Sequence, residues 1–313
     1  MIVIRECRGF EELQACVDLQ VEVWGYSDGD VIPRRVFLVA QKIGGQAIGA
    51  FDVKTGTRDQ GAGNEGQGPG TREQGTENGL PEGGDLGDAG SLVGFSFSLP
   101  GVKTGATSRS GRPESYLHSH MLAVKEGYRN QNIGARLKLA QRDDALARGI
   151  DRIEWTFDPV EIKNAFLNIR KLGAIVRRYE ENFYGASSSH LQGGLQTDRL
   201  VAEWWIGSEH VEQAIQGQTP ASAGRPGEDY VTTIRVPAAI YAWKASDADR
   251  HRAVAVQAEN RAKFQEAFAA GLAVTAFAKD EEGNGTFYLG RWDEPKWAVQ
   301  SEAASEAGCV KLG

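Results

Sequence analysis

The order of local structure between residues 116 and 183 limits the fold more than any other feature of this 313-residue chain. YLHSHMLAV (116–124) reads as a strand, and after a short turn a helix is predicted from about Ile133 to Arg148, stopped by Gly149. DRIEWTF (151–157) is the next strand, a helix follows over about Asn164 to Leu172 with Gly173 as its stop, and AIVRRYEENF (174–183) is a third strand. Such alternation predicts an α/β protein. Upstream, MIVIREC predicts a strand, Phe10, Leu13, Val17, Val21 and Trp24 recur at helical spacing, and Val36–Lys42 and LVGFSFSL (92–99) are read as further strands. DRLVAEWWI closes this first unit at about residue 206.

Residues 55–91 are dominated by Gly, Glu, Gln and Thr, cannot bury enough apolar surface to offset their ordering entropy, and are predicted to be disordered. The G-x-G-x-x-G they contain (Gly61, Gly63, Gly66) has neither a strand before it nor a helix after it, so it is read as chance. The expected division is a first domain over 1–206, a linker over 207–230, a small C-terminal α/β unit over 231–293 and a loose tail over 294–313. In the C-terminal unit TTIRVPAAIYAW reads as a strand, Ser246 and Asp249 have capping-box spacing before a helix ended by Gly271, and LAVTAFAKD and TFYLGRW form a hairpin.

With 41% hydrophobic residues and no run of about 20 apolar ones, a soluble cytoplasmic protein is predicted, without a membrane partner. Three cysteines (Cys7, Cys16, Cys309), none in a C-x-x-C pair, encode neither a disulfide framework nor a thiolate metal site. A net charge of −7 repels a phosphate backbone, which argues against nucleic acid. Against that background VKEGYRNQNIGARLK (124–138) gathers Lys125, Arg129, Arg136 and Lys138 against Glu126 alone. A strand running into a turn and then a helix N-terminus offers main-chain N–H groups to an anion, and a pyrophosphate suits such a cradle. Gly134 permits close approach and Asn132 tolerates left-handed dihedrals. No Walker motif is present, and one glycine is too few for a dinucleotide fold.

Leu122, Ala123 and Val124 followed by Arg129, Asn130, Gln131, Asn132, Ile133, Gly134 and Ala135 resemble the acyl-CoA signature of the GNAT superfamily of N-acyltransferases, Gln/Arg-x-x-Gly-x-Gly/Ala, with Asn132 in place of its first glycine. NAFLNIRKLGA (164–174) is similar to that family's Asn/Ala helix, with Ile169 where many members carry tyrosine. EWTFDP, NFYG and TDRLVAEWW resemble a subgroup of predicted acetyltransferases of unknown substrate. Over residues 1–206 the resemblance implies a mixed, mostly antiparallel central sheet flanked by helices. It further implies that Leu122–Val124 pair with the pantetheine arm, that residues 129–135 hold the pyrophosphate, and that acetyl-CoA or another acyl-CoA such as succinyl-CoA donates to a small-molecule amine or amino acid. Its register puts His118 where some members place a base.

N-acylation needs a group to take a proton from the amine and one to protonate the thiolate. His118 and His120 are expected on the strand face shared by Leu122 and Val124, His118 as base and His120 beside the acceptor. Tyr184 is the candidate proton donor, Asp158 and Glu203 are candidate acceptor contacts, and Asn164 and Asn168, four apart, are expected to share a helix face toward CoA. The competing expectation for each is a structural role: hydrogen-bonded strand histidines, a capping Asp158, surface asparagines, and Trp155, Phe183, Trp204 and Trp205 as core aromatics. No metal is expected, because His190, His210 and His251 lie in no ligand spacing with the H-x-H pair. A non-catalytic acyl-CoA sensor is the rival function, and a homodimer is left open.

Overall fold

The structure, a computed structural model, describes residues 1–26, 29–53, 90–104, 111–185, 192–219 and 230–293. Most of the expected insert with its G-x-G-x-x-G, part of the expected linker, the tail, His190 and Cys309 lie outside the described residues.

Ten strands form one sheet in the order β1-β2-β3-β4-β5-β7-β6-β9-β10-β8. They are β1 (Ile2–Glu6), β2 (Gln46–Asp52), β3 (Ser91–Lys103), β4 (Glu114–Val124), β5 (Arg152–Phe157), β6 (Ile175–Glu180), β7 (Arg199–Trp205), β8 (Tyr230–Val236), β9 (Leu272–Lys279) and β10 (Gly285–Arg291). Every neighbouring pair is antiparallel except β4 and β5. The fold is therefore the expected mixed, mostly antiparallel α/β sheet with helices on its faces.

α1 (Gly9–Trp24) and α2 (Arg34–Lys42) cover one face, where Leu13, Cys16, Leu19 and Phe37 pack with Phe95, Phe97, Met121 and Ala123. The buried side of α1 is rotated from the expected one. Leu13 is common to both, but Phe10 and Val21 are about half exposed while Cys16, Leu19 and Val23 are buried. Residues 36–42 are helical, not a strand, since a short apolar run carries either period. Phe37 and Ala40, three apart, are buried, and the strand comes next, at Gln46–Asp52. Gly45 sits at the junction, where a Cβ would stand 2.4 Å from the Ser98 carbonyl oxygen.

α3 (Ile133–Ala147) lies on the other face, with Ile133 and Leu137 against Ile48, Ala50 and Val93. α4 (Ile162–Ala165) continues into a π-helical turn, Phe166–Lys171, and its Ile169 and the following Leu172 belong to the largest apolar cluster among the described residues. That cluster runs without a break into the C-terminal elements, taking in Phe264 and Ala267 of α7 (Arg250–Ala269), Val274, Phe277 and Phe287. β9 meets β6 at Val176↔Val274, so residues 230–291 extend the first sheet. The stretch expected as linker contains α5 (Glu209–Ile215), whose Val211 and Ala214 are buried. The expected strand over 232–243 ends at Val236, ahead of Pro237, and gives way to α6 (Ile240–Ala245).

Candidate active site

The parallel neighbours β4 and β5 pair only at Leu117↔Ile153 and His118↔Glu154, although β4 runs on to Val124 and β5 to Phe157. Beyond those two pairs the strands part. The facing edges of 119–124 and 155–157 thus present main-chain groups without a ladder partner, as an extended ligand with amides of its own requires.

A β-bulge decides which side chains look into this wedge. On the β3 side the register passes from Phe97↔Met121 to Ser98↔Ser119 and leaves His120 unpaired. Ser119 points to α3, where its hydroxyl meets Lys138 Nζ at 2.8 Å and Gln141 Oε1 at 2.9 Å. Met121 and Ala123 pack on the α1–α2 side, and Leu122 and Val124 return to the α3 side. His118 and His120 therefore occupy the face opposite Leu122 and Val124, contrary to expectation, because the extra residue breaks strict alternation. Their rings are 6.0 Å apart, with His120 against Phe97 at 6.4 Å.

At the end of β4 the chain makes a 3₁₀ turn (Glu126–Tyr128), then places Asn130 (φ 63°) and Asn132 (φ 61°) in the left-handed region before α3 begins. Arg136 N–H bonds the Asn132 carbonyl, which leaves the N–H groups of Ile133, Gly134 and Ala135 as the unpaired first turn. Among the described residues no protein acceptor meets the amides of 130–135. A Cβ on Gly134 would lie 3.7 Å from Leu122 Cδ2 and 4.0 Å from Leu167 Cδ2. The fold itself thus does not demand glycine there.

The basic cluster is narrower than its sequence suggests. Arg129 is exposed and donates to Val124 O at 3.2 Å, whereas Arg136 is tied to Ile2 O at 2.9 Å and Lys125 pairs with Glu22 at 3.5 Å. Lys138 is buried under the sheet. From Asn132 a groove of about 370 Å³ runs past Ala135 and Leu139 to Phe166, Arg170 and Lys171. Arg170 and Lys171 add positive charge at its far end. Their signal in the sequence is a basic pair just before Leu172-Gly173, not singled out above as part of an anion site.

The histidine face is strongly charged. Burial first, then the neighbouring His120, pushes His118 down to about 4, and burial lowers His120, so neutral rings stand there at pH 7. Glu154 accepts from Lys103 Nζ at 2.7 Å and Arg178 at 2.8 Å, and Arg152 lies 3.6 Å away. Although burial alone would raise its pKa, Arg178 and Lys103 hold it below the ordinary carboxylate range. Glu203, opposite Glu154 on β7, is paired with Arg177 at 2.6 Å. Tyr184 OH meets Thr156 Oγ1 at 3.0 Å, two residues beyond Glu154 on the same strand face, with Arg199 over its ring.

Other expected contacts lie elsewhere. Asp158 accepts from Val160 N–H at 2.9 Å and Lys244 Nζ lies 3.4 Å away, so its carboxylate ties β5 to α6. Asn164 is exposed and Asn168 buried, because the helix turns to π geometry at Phe166 and a spacing of four no longer stacks. Ile169, at the tyrosine position, is buried in the core. Trp155, Trp204 and Trp205 are buried, while Phe183 is about half exposed beside Tyr184. Among the described residues no group of three or more His, Cys, Asp or Glu could hold a metal ion, and no helix is long and apolar enough to cross a membrane.

The chain is similar to solved acetyltransferases of the GNAT family. One is the acetyltransferase of that family from Streptococcus pneumoniae: 16% identity, 66% of this chain and 100% of that one, TM-score 0.41. A second is the Escherichia coli ribosomal-protein-S18-alanine N-acetyltransferase: 13% identity, 66% and 94% coverage, TM-score 0.40. A third is Arabidopsis thaliana NAA60 in complex with acetyl-CoA: 12% identity, 66% and 99% coverage, TM-score 0.45. No protein-family model matches the chain, and no curated protein matches it.

Proposed function

We propose that this protein is an acyl-CoA-dependent N-acyltransferase of the GNAT type that acts by direct attack within a ternary complex. The observation that carries the reading is the parting of β4 and β5 just past His118 and Glu154, where β4 leads on to a helix start whose amides have no acceptor among the described residues. Leu122–Val124 supply main-chain partners for the pantetheine arm, and the turn at 129–135 takes the pyrophosphate. Arg170 and Lys171 offer charge to the nucleotide end.

The thioester provides an activated acyl carbon. An amine nitrogen attacks it, the C–S bond breaks, an amide forms, and the sulfur leaves as a thiolate that must gain a proton. Neutral His118 receives the proton the amine loses, and Tyr184 is the donor available on the same face. Glu154 and Glu203 are spent on their cations and serve to hold that face together.

The test is calorimetric titration with CoA and acetyl-CoA, followed by thiol release across a panel of amines and amino acids. Binding with turnover on at least one amine is expected; no binding of CoA overturns the proposal. Binding without turnover on any amine supports an acyl-CoA sensor, the reading that Ile169 in the core favours.

A further inference from the structure

Lys138 is an anomaly among the buried ionisable groups. It is 2% exposed, its Nζ donates to Ser119 Oγ at 2.8 Å, and it lies 3.7 Å from the centre of the Trp155 ring. Ser119 and Trp155 are the first residues of β4 and β5 beyond their last pair, so the amine sits at the apex of the wedge, on the α3 side. Gly134 of the anion cradle lies one turn earlier on the same helix face.

Among the described residues no carboxylate lies within 4.0 Å of Lys138, whereas Glu154 on the opposite face has three cations within that distance. Burial drives Lys138 well below the usual lysine range. The Trp155 ring offsets only part of the cost of a buried ammonium. One turn further, Gln141 is fully buried, its Oε1 accepts from Ser119, and its Nε2 has no acceptor among the described residues. The Lys138 amine and the Gln141 amide, both buried and both belonging to residues bonded to Ser119 Oγ, therefore keep N–H donors that no acceptor among the described residues meets. An acetyl methyl placed there satisfies none of them. A carboxylate supplies two acceptor oxygens and a negative charge that favours the protonated form of Lys138.

Resting on the acyltransferase reading above, we propose that the acyl group this protein transfers ends in a free carboxylate, as in a short dicarboxylic acid joined to CoA through its other end, and that Lys138, assisted by Gln141, selects it. The transfer itself is unchanged: the thioester carbon passes to the amine, CoA leaves as the thiol, and the distal carboxylate stays ionised against Lys138.

The experiment compares CoA, acetyl-CoA and succinyl-CoA by calorimetry on the full chain and on Lys138→Met and Gln141→Leu. In the unaltered protein succinyl-CoA is expected to bind roughly tenfold or more tighter than acetyl-CoA, as a hydrogen-bonded charge pair predicts. Lys138→Met collapses that ratio to about one, and Gln141→Leu lowers it less. Equal affinities in the unaltered protein, a measurement that needs no variant, overturn the proposal. So does a ratio that survives Lys138→Met, or mass spectrometry showing Lys138 itself acylated. If neither CoA nor either thioester binds, the acyltransferase reading has failed instead, and the two failures are distinct.

Discussion

Where β4 and β5 part, the two faces of the sheet handle buried charge in opposite ways. On the histidine face Glu154 is enclosed by Lys103, Arg152 and Arg178, and Glu203 by Arg177, so charge is balanced inside the protein. On the α3 face Lys138 has a hydroxyl and an indole ring for company. A buried charge that is fully partnered is a structural fixture, and one that is not leaves a vacancy for a ligand's charge to fill. The difference separates the ion pairs that hold the sheet together from the one buried amine proposed above to meet the acyl group.

Substitutions on the two faces should therefore fail differently. The largest effect is expected from His118→Ala, which should lower turnover by roughly 10²–10⁴-fold while leaving CoA affinity in place, as rate and calorimetric measurements on one preparation would show. Full turnover in that variant removes His118 as the base. Next, Glu154→Ala strands buried cations and should cost about 3 kcal/mol or more in chemical denaturation, whereas Lys138→Met should be neutral or stabilising. Equal losses would erase the contrast between the faces. Gly134→Val should weaken CoA binding about a hundredfold, with the melting temperature nearly preserved, because a Cβ at that position meets no close protein neighbour.

The pH response sharpens the picture further. His118 and His210 are both pushed down to about 4 by burial, from an ordinary value of 6.5. Between those values the unfolded chain binds protons that the folded chain refuses, so stability should fall as pH drops from 6.5 toward 4, by up to about 1.4 kcal/mol per pH unit for each ring. Urea titrations across that range, repeated on His118→Phe, would show a shallower slope in the variant. The smallest effect belongs to Asn132→Gly: both residues accept the left-handed conformation, so stability should change by less than about 1 kcal/mol.

Much of this molecule was legible in the linear order of residues. Gly149, Gly173 and Gly271 follow the helices they were expected to stop, and all three have positive φ. The turn at 129–135 stands where its residues indicated, with Asn132 as the helix cap. Local propensity and turn chemistry suffice for such features. Val36–Lys42 reads as a strand because its five apolar residues, Val36 to Ala40, fit either period, and Gln46–Asp52 carries a weak strand signal because Ala, Gly and Gln have little strand preference. The pairing of Asp158 with Lys244, 86 residues away, could not be read at all.

What the sequence alone determined was the α/β class, the order of elements around the turn and the residues from which an anion cradle could be built, since each depends on interactions within a few residues along the chain. Only the tertiary structure decided that His118 and His120 face away from Leu122 and Val124, that Arg136 serves β1, and that Lys138 is enclosed without an acidic partner among the described residues. Those outcomes follow from a bulge in register and from burial, and both are properties of neighbours that the chain brings together from far apart.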